Sequence, residues 1–321
     1  MKTLLSTLAA AGSALAIATA AASPAGMPYT IERVTFASDG QTIIGNLYLP
    51  DGADADRPVE GAVVTGAWTT IKEHMSGAYA AELASRGQAA LAFDFRTWGE
   101  SDGATRSLED PALKIADIEA AGRFLAARPE ISAVNGLGIC ASAGYMASVA
   151  ERTDIFSSVA LVAPWLHDEA LVNAVYGGAE GVEGLIETGR AAAAREAATG
   201  EPQLIPATGP AGSDALMPGV PYYTDEGLGL IPEWENTFNL ASWEGWLTFD
   251  AVRTAPGIEE PMLIVHSEAA AIPEGARRFY AGLGGAKEEI WLDDVMQFDF
   301  YHRPAPVQTS SDAVADFFKR N

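Results

Sequence analysis

The single cysteine of this 321-residue sequence, Cys140, lies where a strand pattern stops and a helix pattern begins. Gly138 and Ser142 stand two residues to either side of it. A tight turn from strand to helix needs small residues at these two positions, because the backbone passes close to itself there. Such a turn pushes its central side chain outward, so the spacing predicts that Cys140 is a nucleophile.

Two further inferences follow from this stretch. A thiol at the N-terminus of a helix is expected to have a lowered pKa, because the helix dipole favours the thiolate. Ser142 is the alternative nucleophile, since Cys140-x-Ser142-x-Gly144 also has small flanks. That register, however, puts the turn two residues beyond the end of the apolar strand.

The elements around Cys140 alternate between strand and helix patterns. Residues 30–49 form a hairpin pattern around Asp39-Gly40. After it come apolar strand runs separated by helices of ten or more residues, as far as residue 166. Strands resume at residues 261–266 and 287–292. This alternation predicts a mostly parallel sheet flanked by helices, with the core formed by residues 23–166 and 261–321.

Residues 167–260 break this pattern. The segment has an alanine-rich helix, a stretch rich in proline and glycine, and three tryptophans, but no strong strand. An insertion of this length between two strands usually covers the mouth of a site. We therefore predict a lid between the sixth and seventh strands.

Composition and charge narrow the possible partners. The chain has 43 acidic and 20 basic residues, a formal net charge of −23, which repels nucleic acids and anionic membrane surfaces. We therefore expect a small-molecule substrate, and neither nucleic acid nor membrane as a partner. Residues 1–22 read as a signal peptide with an A-x-A cleavage site, which predicts an exported, periplasmic or secreted protein.

The sequence offers no pattern for a cofactor. It lacks the H-x-x-x-H and H-E-x-x-H spacings and has no cysteine pair, so no metal site is expected. The glycine-rich stretches lack the Walker lysine, and no G-x-G-x-x-G follows a strand. We predict no cofactor, and the sequence leaves the oligomeric state open.

The order of elements and the turn at Cys140 resemble the α/β-hydrolase superfamily, in particular its dienelactone-hydrolase-like branch, which has a cysteine at this turn. Residues 93–101, FDFRTWGES, are similar to a D-x-R-G-x-G-x-S run common in this fold. The resemblance implies an α/β-hydrolase fold and oxyanion donors at the backbone N–H of Ala141 and of Ala67 or Trp68. It also implies hydrolysis of a small ester, lactone or thioester through an acyl-cysteine.

The sequence departs from this family at two positions. Ala270 stands where the resemblance places the acid of the triad, and Gln297 stands where it places the general-base histidine. An amide cannot accept a proton at neutral pH. The departures support the alternative of a non-hydrolytic protein of this fold, either a ligand-binding protein or a lyase or acyl transferase.

The resemblance leaves three possibilities for the base. His167, with Asp168 beside it as a candidate acid, follows the strand next to the one that carries Cys140. His302 lies five residues beyond the usual base position. In the third possibility no histidine acts, and a preformed thiolate or a bound water does the work. Trp165, Tyr145 and Gln297 are the candidate substrate-binding residues.

Overall fold

A computed structural model describes residues 26–321, so the predicted signal peptide lies outside the described residues. Within that range the strands are β1 Tyr29–Ser38, β2 Gln41–Pro50, β3 Val59–Thr65, β4 Ala89–Phe93, β5 Ile131–Ile139, β6 Val159–Val162, β7 Leu204–Pro206, β8 Thr208–Gly209, β9 Met217–Pro218, β10 Thr237–Asn239, β11 Met262–His266 and β12 Lys287–Trp291.

The helices alternate with these strands, as the sequence predicts. They are α1 Met75–Ser85, α2 Pro111–Ala126, α3 Ser142–Arg152, α4 Glu169–Val175, α5 Gly178–Thr199, α6 Pro221–Thr224, α7 Ser242–Thr248, α8 Pro273–Gly282, α9 Asp299–His302 and α10 Pro304–Phe318, together with a 3₁₀ helix over Val252–Gly257. None of the helices in the described range is long and apolar enough to cross a bilayer.

Eight strands form one mixed sheet in the order β1-β2-β4-β3-β5-β6-β11-β12. The first two strands make an antiparallel hairpin, and β2 also pairs antiparallel with β4. The turn of the hairpin is Asp39-Gly40, in which both residues have positive φ, as a two-residue hairpin turn with matching twist requires. All other pairings in this sheet are parallel.

The central strands β3, β4, β5, β6 and β11 are almost entirely buried, because helices pack against the sheet. Helix α1 contacts α10, and α2 contacts α3, so the helices form layers over the sheet. The carboxyl ends of neighbouring parallel strands meet at one edge of such a sheet. The loops that follow β3, β5, β6 and β11 are therefore brought together.

Residues 167–260, called the insertion from here on, connect β6 to β11, the sixth and seventh strands of the main sheet. The insertion contains α4 to α7 and four short strands that form two separate two-stranded sheets. Its last part, the 3₁₀ helix Val252–Gly257, packs against α3 and α8. The end of the insertion is therefore part of the helical layer of the core.

Candidate functional site

Cys140 sits in a strained turn between β5 and α3. Its φ is +57°, a left-handed conformation that costs a residue with a side chain about 1–2 kcal/mol. A Cβ atom on Gly138 would lie 2.7 Å from Cα of Ala143, so only glycine fits there. The predicted turn is present, and it holds the sulfur where β5 ends and α3 begins.

Two backbone N–H groups lower the pKa of Cys140 by hydrogen bonding to its sulfur, those of Ala141 and Trp68. Ala67, the other residue considered from the sequence, donates its N–H to Sδ of Met75 at 3.4 Å instead. The hydroxyl of Thr70 donates to the Ala67 carbonyl at 2.7 Å and fixes this loop after β3. The geometry therefore selects Ala141 and Trp68 as the pair that could hold an oxyanion.

Gln297 reaches the same site from the loop after β12. Its side-chain oxygen accepts a hydrogen bond from the backbone N–H of Ala271 at 3.0 Å. Its Nε2 donates to the carbonyl of Ala163 and to the hydroxyl of Tyr301, each at 2.9 Å. Ala163 has a positive φ of 44°, a second strained backbone at this site. Gln297 thus occupies a fully bonded position and contacts the sulfur as well.

Tyr301 is a residue of this site that the sequence did not point to. Its buried hydroxyl lies against Cys140 and accepts the hydrogen bond from Gln297. Tyr301 lies four residues after Gln297, a spacing that puts two side chains on one face of a helical turn. That spacing was the available signal, but only the fold shows that this face meets β5.

The pKa of Cys140 is raised, contrary to the expectation of a lowered value. Burial removes water from the thiolate and is the largest effect. Hydrogen-bonding groups of Tyr301, Ala141, Trp68 and Gln297 oppose it but do not overcome it. The helix dipole is weaker than the loss of hydration at a residue that is only 8% exposed.

His167 does not turn toward the sulfur. Its Nδ1 accepts a hydrogen bond from Nε1 of Trp165 at 3.0 Å, and its Nε2 lies 3.1 Å from the carbonyl oxygen of Trp246. Because Nδ1 accepts, Nε2 carries the proton and donates it to that carbonyl. Burial lowers the pKa of His167 to about 4. Both ring nitrogens are occupied, so this geometry gives His167 no free nitrogen for Cys140.

The remaining acid–base candidates also have other partners. Asp168 caps the N-terminus of α4 through Leu171 and pairs with Arg278. Nδ1 of His302 lies 2.8 Å from the carbonyl oxygen of Phe298. Of the three possibilities for the base, the geometry favours the one without a histidine.

Three other residues predicted from the sequence lie near Cys140 but form hydrogen bonds to groups other than its sulfur. The hydroxyl of Ser142 is buried and bonds back to the carbonyl of Ile139 at 3.1 Å, away from the position of a nucleophile. Trp165 is half-buried and donates its backbone N–H to the carbonyl of Cys140 at 2.9 Å. Tyr145 is buried and donates its hydroxyl to Glu109 at 2.7 Å.

Aromatic side chains of the insertion cover Trp68. Its indole stacks on Trp246 with 5.3 Å between ring centroids, and Phe238 and Trp243 lie at 5.0 and 6.2 Å. Nε1 of Trp68 is buried and has no hydrogen-bond partner among the described residues. The insertion therefore covers the loop after β3 and leaves the Nε1 hydrogen of Trp68 unsatisfied.

A separate cavity of about 440 Å³ lies within the insertion, between α4, α5 and α7. Cys140 does not line it. Phe249 does, and its ring also packs against Tyr145 and His167. Over residues 26–321, no group of three or more His, Cys, Asp or Glu side chains is arranged to hold a metal ion.

Comparisons with known sequences give partial matches. No family model matches the sequence. A stretch of 115 residues is 37% identical to the uncharacterized protein PA2218 of Pseudomonas aeruginosa, covering 35% of this chain and 31% of that protein. A stretch of 130 residues is 30% identical to polyketide transferase claH of Penicillium crustosum, covering 39% of this chain and 42% of that protein. The matches thus span less than half the length of either relative.

Comparisons with solved structures extend over nearly the whole chain. The structure of PA2218 matches 96% of this chain and 98% of its own, with a TM-score of 0.77 and 24% identity. The α/β hydrolase GrgF from Penicillium sp. sh18 gives 0.73 at 18% identity, over 92% and 99% of the two chains. Dienelactone hydrolase from Anabaena variabilis gives 0.55 at 11% identity, over 91% and 98%. The chain has the α/β-hydrolase fold, which confirms the predicted fold class.

Proposed function

We propose that this protein takes the acyl group of a small ester, lactone or thioester onto Cys140 and then passes it to water. The observation that carries the proposal is the strained turn, which holds the sulfur beside the N–H groups of Ala141 and Trp68. Two such donors stabilise the negative charge that develops on a carbonyl oxygen under attack. The dienelactone hydrolase among the structural neighbours agrees with this class of reaction.

The proposed reaction has two steps. The sulfur of Cys140 attacks the carbonyl carbon, and the carbonyl oxygen becomes an oxyanion held by Ala141 and Trp68. The bond to the leaving group then breaks, the leaving group takes up the proton that the thiol has lost, and an acyl-cysteine remains. In the second step water replaces the sulfur on the acyl carbon, which releases the acid and restores the thiol.

The surroundings support an apolar or ring-containing acyl group. Trp246 and Phe238 of the insertion pack on Trp68 and cover the loop after β3, which supplies one of the two oxyanion donors. The unpartnered Nε1–H of Trp68 would donate a hydrogen bond to an oxygen atom on the acyl chain. Because Cys140 is only 8% exposed, we propose that the insertion moves to admit the substrate.

Mass spectrometry of the intact protein tests the acyl-cysteine. After brief incubation with p-nitrophenyl acetate and acid quenching, we expect one acetyl group per chain, located on Cys140. Cys140→Ala should carry no acetyl group and release no p-nitrophenol above background. Ser142→Ala is the matched control in the same turn and should still be acylated. Turnover that survives in Cys140→Ala but is lost in Ser142→Ala would refute the assignment of the nucleophile.

A second candidate function is transfer of the acyl group to an acceptor other than water. The observation that favours it is Gln297, because this amide lies at the sulfur where a general base would activate water, and an amide cannot accept a proton at neutral pH. A thiol or amine acceptor attacks an acyl-cysteine more readily than water does. The sequence match to polyketide transferase claH agrees with acyl transfer. Products from a mixture of acyl donor and an added thiol distinguish the two, since hydrolysis yields the free acid and transfer yields a new thioester.

A further inference from the structure

The proposed acylation requires a group that moves a proton from the thiol of Cys140 to the leaving group. The thiol of Cys140 must lose its proton before or during attack, since its pKa is raised by burial. An alkoxide leaving group must gain a proton, because it is a strong base. In most acyl-transfer sites one histidine performs both transfers. Here the two histidines considered from the sequence have other partners: His167 is bonded to Trp165 and Trp246, and His302 lies against Phe298.

One hydroxyl lies where a shuttle for this proton would be needed. Among the groups whose hydrogen bonding lowers the pKa of Cys140, the Tyr301 hydroxyl has the largest effect; Nε2 of Gln297 holds this hydroxyl at 2.9 Å, and Tyr301 is only 2% exposed. A phenol can donate its own proton and accept another through the same oxygen. The other three groups at the sulfur, the N–H groups of Ala141 and Trp68 and the amide of Gln297, donate only through nitrogen and do not exchange protons in this way.

Gln297 fixes the orientation of this hydroxyl. Its Nε2 donates to the Tyr301 oxygen at 2.9 Å and to the Ala163 carbonyl, and these two hydrogen bonds hold the amide in place. Its oxygen is held by the backbone N–H of Ala271. Gln297 occupies one side of the phenol oxygen, so the other lone pair and the hydroxyl hydrogen of Tyr301 are available on the side of the sulfur and the leaving group.

We propose that Tyr301 is a catalytic residue that carries the proton of Cys140 to the leaving group, with Gln297 as the residue that positions it. As the sulfur–carbon bond forms and the bond to the leaving group breaks, the Tyr301 oxygen takes the thiol proton and gives its own proton to the departing oxygen. Tyr301 ends the step unchanged, the leaving group departs as an alcohol, and no charge is left on the phenol. This inference rests on the proposed acyl-cysteine.

The dependence of acylation on the leaving group tests this role. Single-turnover acylation of Cys140 is measured by quenched intact-mass spectrometry with two butanoate esters, ethyl and p-nitrophenyl. An ethoxide needs the proton as it leaves, whereas p-nitrophenolate is stable without it. We expect Tyr301→Phe to lose about 100- to 10,000-fold with the ethyl ester and less than about 10-fold with the p-nitrophenyl ester.

Two further variants complete the experiment. Tyr223→Phe is the matched control, since it removes a buried phenol that is not among the groups hydrogen-bonded to the sulfur, which are Tyr301, Ala141, Trp68 and Gln297. It should leave the ratio of the two rates unchanged. Gln297→Met should shift the ratio in the same direction as Tyr301→Phe, but less, and it carries the comparison if Tyr301→Phe does not fold.

The other possible results of this experiment refute either the proposed function or the role of Tyr301. If the wild-type protein is acylated by neither ester, the proposed function fails, and the role of Tyr301 fails with it. If the wild type is acylated by the p-nitrophenyl ester alone, or if Tyr301→Phe slows both esters equally or neither, the role of Tyr301 is refuted. In those cases the observed acylation still supports the proposed acyl-cysteine.

Discussion

Protonation of His167 is a perturbation whose effect on stability follows from its hydrogen bonds. The neutral ring accepts the N–H of Trp165 on Nδ1 and donates from Nε2 to the carbonyl of Trp246. A second proton, on Nδ1, would face the indole N–H. Burial adds the cost of placing a charge away from water, and the pKa falls from the ordinary 6.5 to about 4.

The sign and size of the effect follow from linkage. Between about pH 6.5 and pH 4 the unfolded chain binds this proton and the folded chain does not, so the free energy of unfolding rises with pH. The contribution of His167 is complete above the pKa of the unfolded state and is lost as the pH falls toward 4. Between pH 7 and pH 4.5 the lost stability amounts to about 2–3 kcal/mol.

Urea unfolding at pH 7 and pH 4.5 measures this contribution. We expect the difference between the two free energies of unfolding to be about 2–3 kcal/mol smaller in His167→Met than in the wild type. His302→Met, which removes a half-buried histidine, is measured alongside as the control variant. If His167→Met keeps the full pH dependence of the wild type, the ring is not a buried neutral group and the reasoning is wrong.

Three further predictions concern the turn at Cys140. Cys140→Gly should be up to about 1 kcal/mol more stable than Cys140→Ala in urea unfolding, because glycine relieves the left-handed strain and loses only part of that gain to chain entropy; the opposite order would contradict it. Gly138→Ala should lower the free energy of unfolding by about 1–3 kcal/mol in the same measurement, since its Cβ would lie 2.7 Å from Cα of Ala143. A variant as stable as the wild type would mean that the turn opens freely. Because burial raises the pKa of Cys140, iodoacetamide should alkylate the folded protein at pH 7 more slowly than it alkylates free cysteine, and the rate should rise with pH. Mass spectrometry measures the alkylation, and a rate faster than that of free cysteine would disprove the prediction.

Much of the architecture could be predicted because its causes are local. Asp39-Gly40 accepts the positive φ angles of a hairpin turn, and the structure forms that turn. The apolar runs between residues 59 and 162 became buried strands of the main sheet, because runs of that kind are stable only when both faces are covered. The break in this pattern at residue 167 located the insertion between the sixth and seventh strands.

Details of the insertion could not be predicted in the same way. The alanine-rich helix of the insertion begins at Gly178, because a left-handed Gly177 precedes it and starts it, rather than an apolar pattern. The short strands β7 to β10 have two or three residues each, too few to leave a periodic pattern in the sequence. Their positions depend on packing against the core.

By itself the sequence determined the turn that holds Cys140, because a close backbone approach is a property of neighbouring residues such as Gly138. Tertiary structure decided what surrounds the sulfur. Tyr301 and Gln297 arrive from the far end of the chain, and His167, which is closer in sequence, turns to Trp165 instead. Burial then reversed the expected direction of the thiol pKa, since the loss of hydration depends on every element packed around the site and no local pattern encodes it.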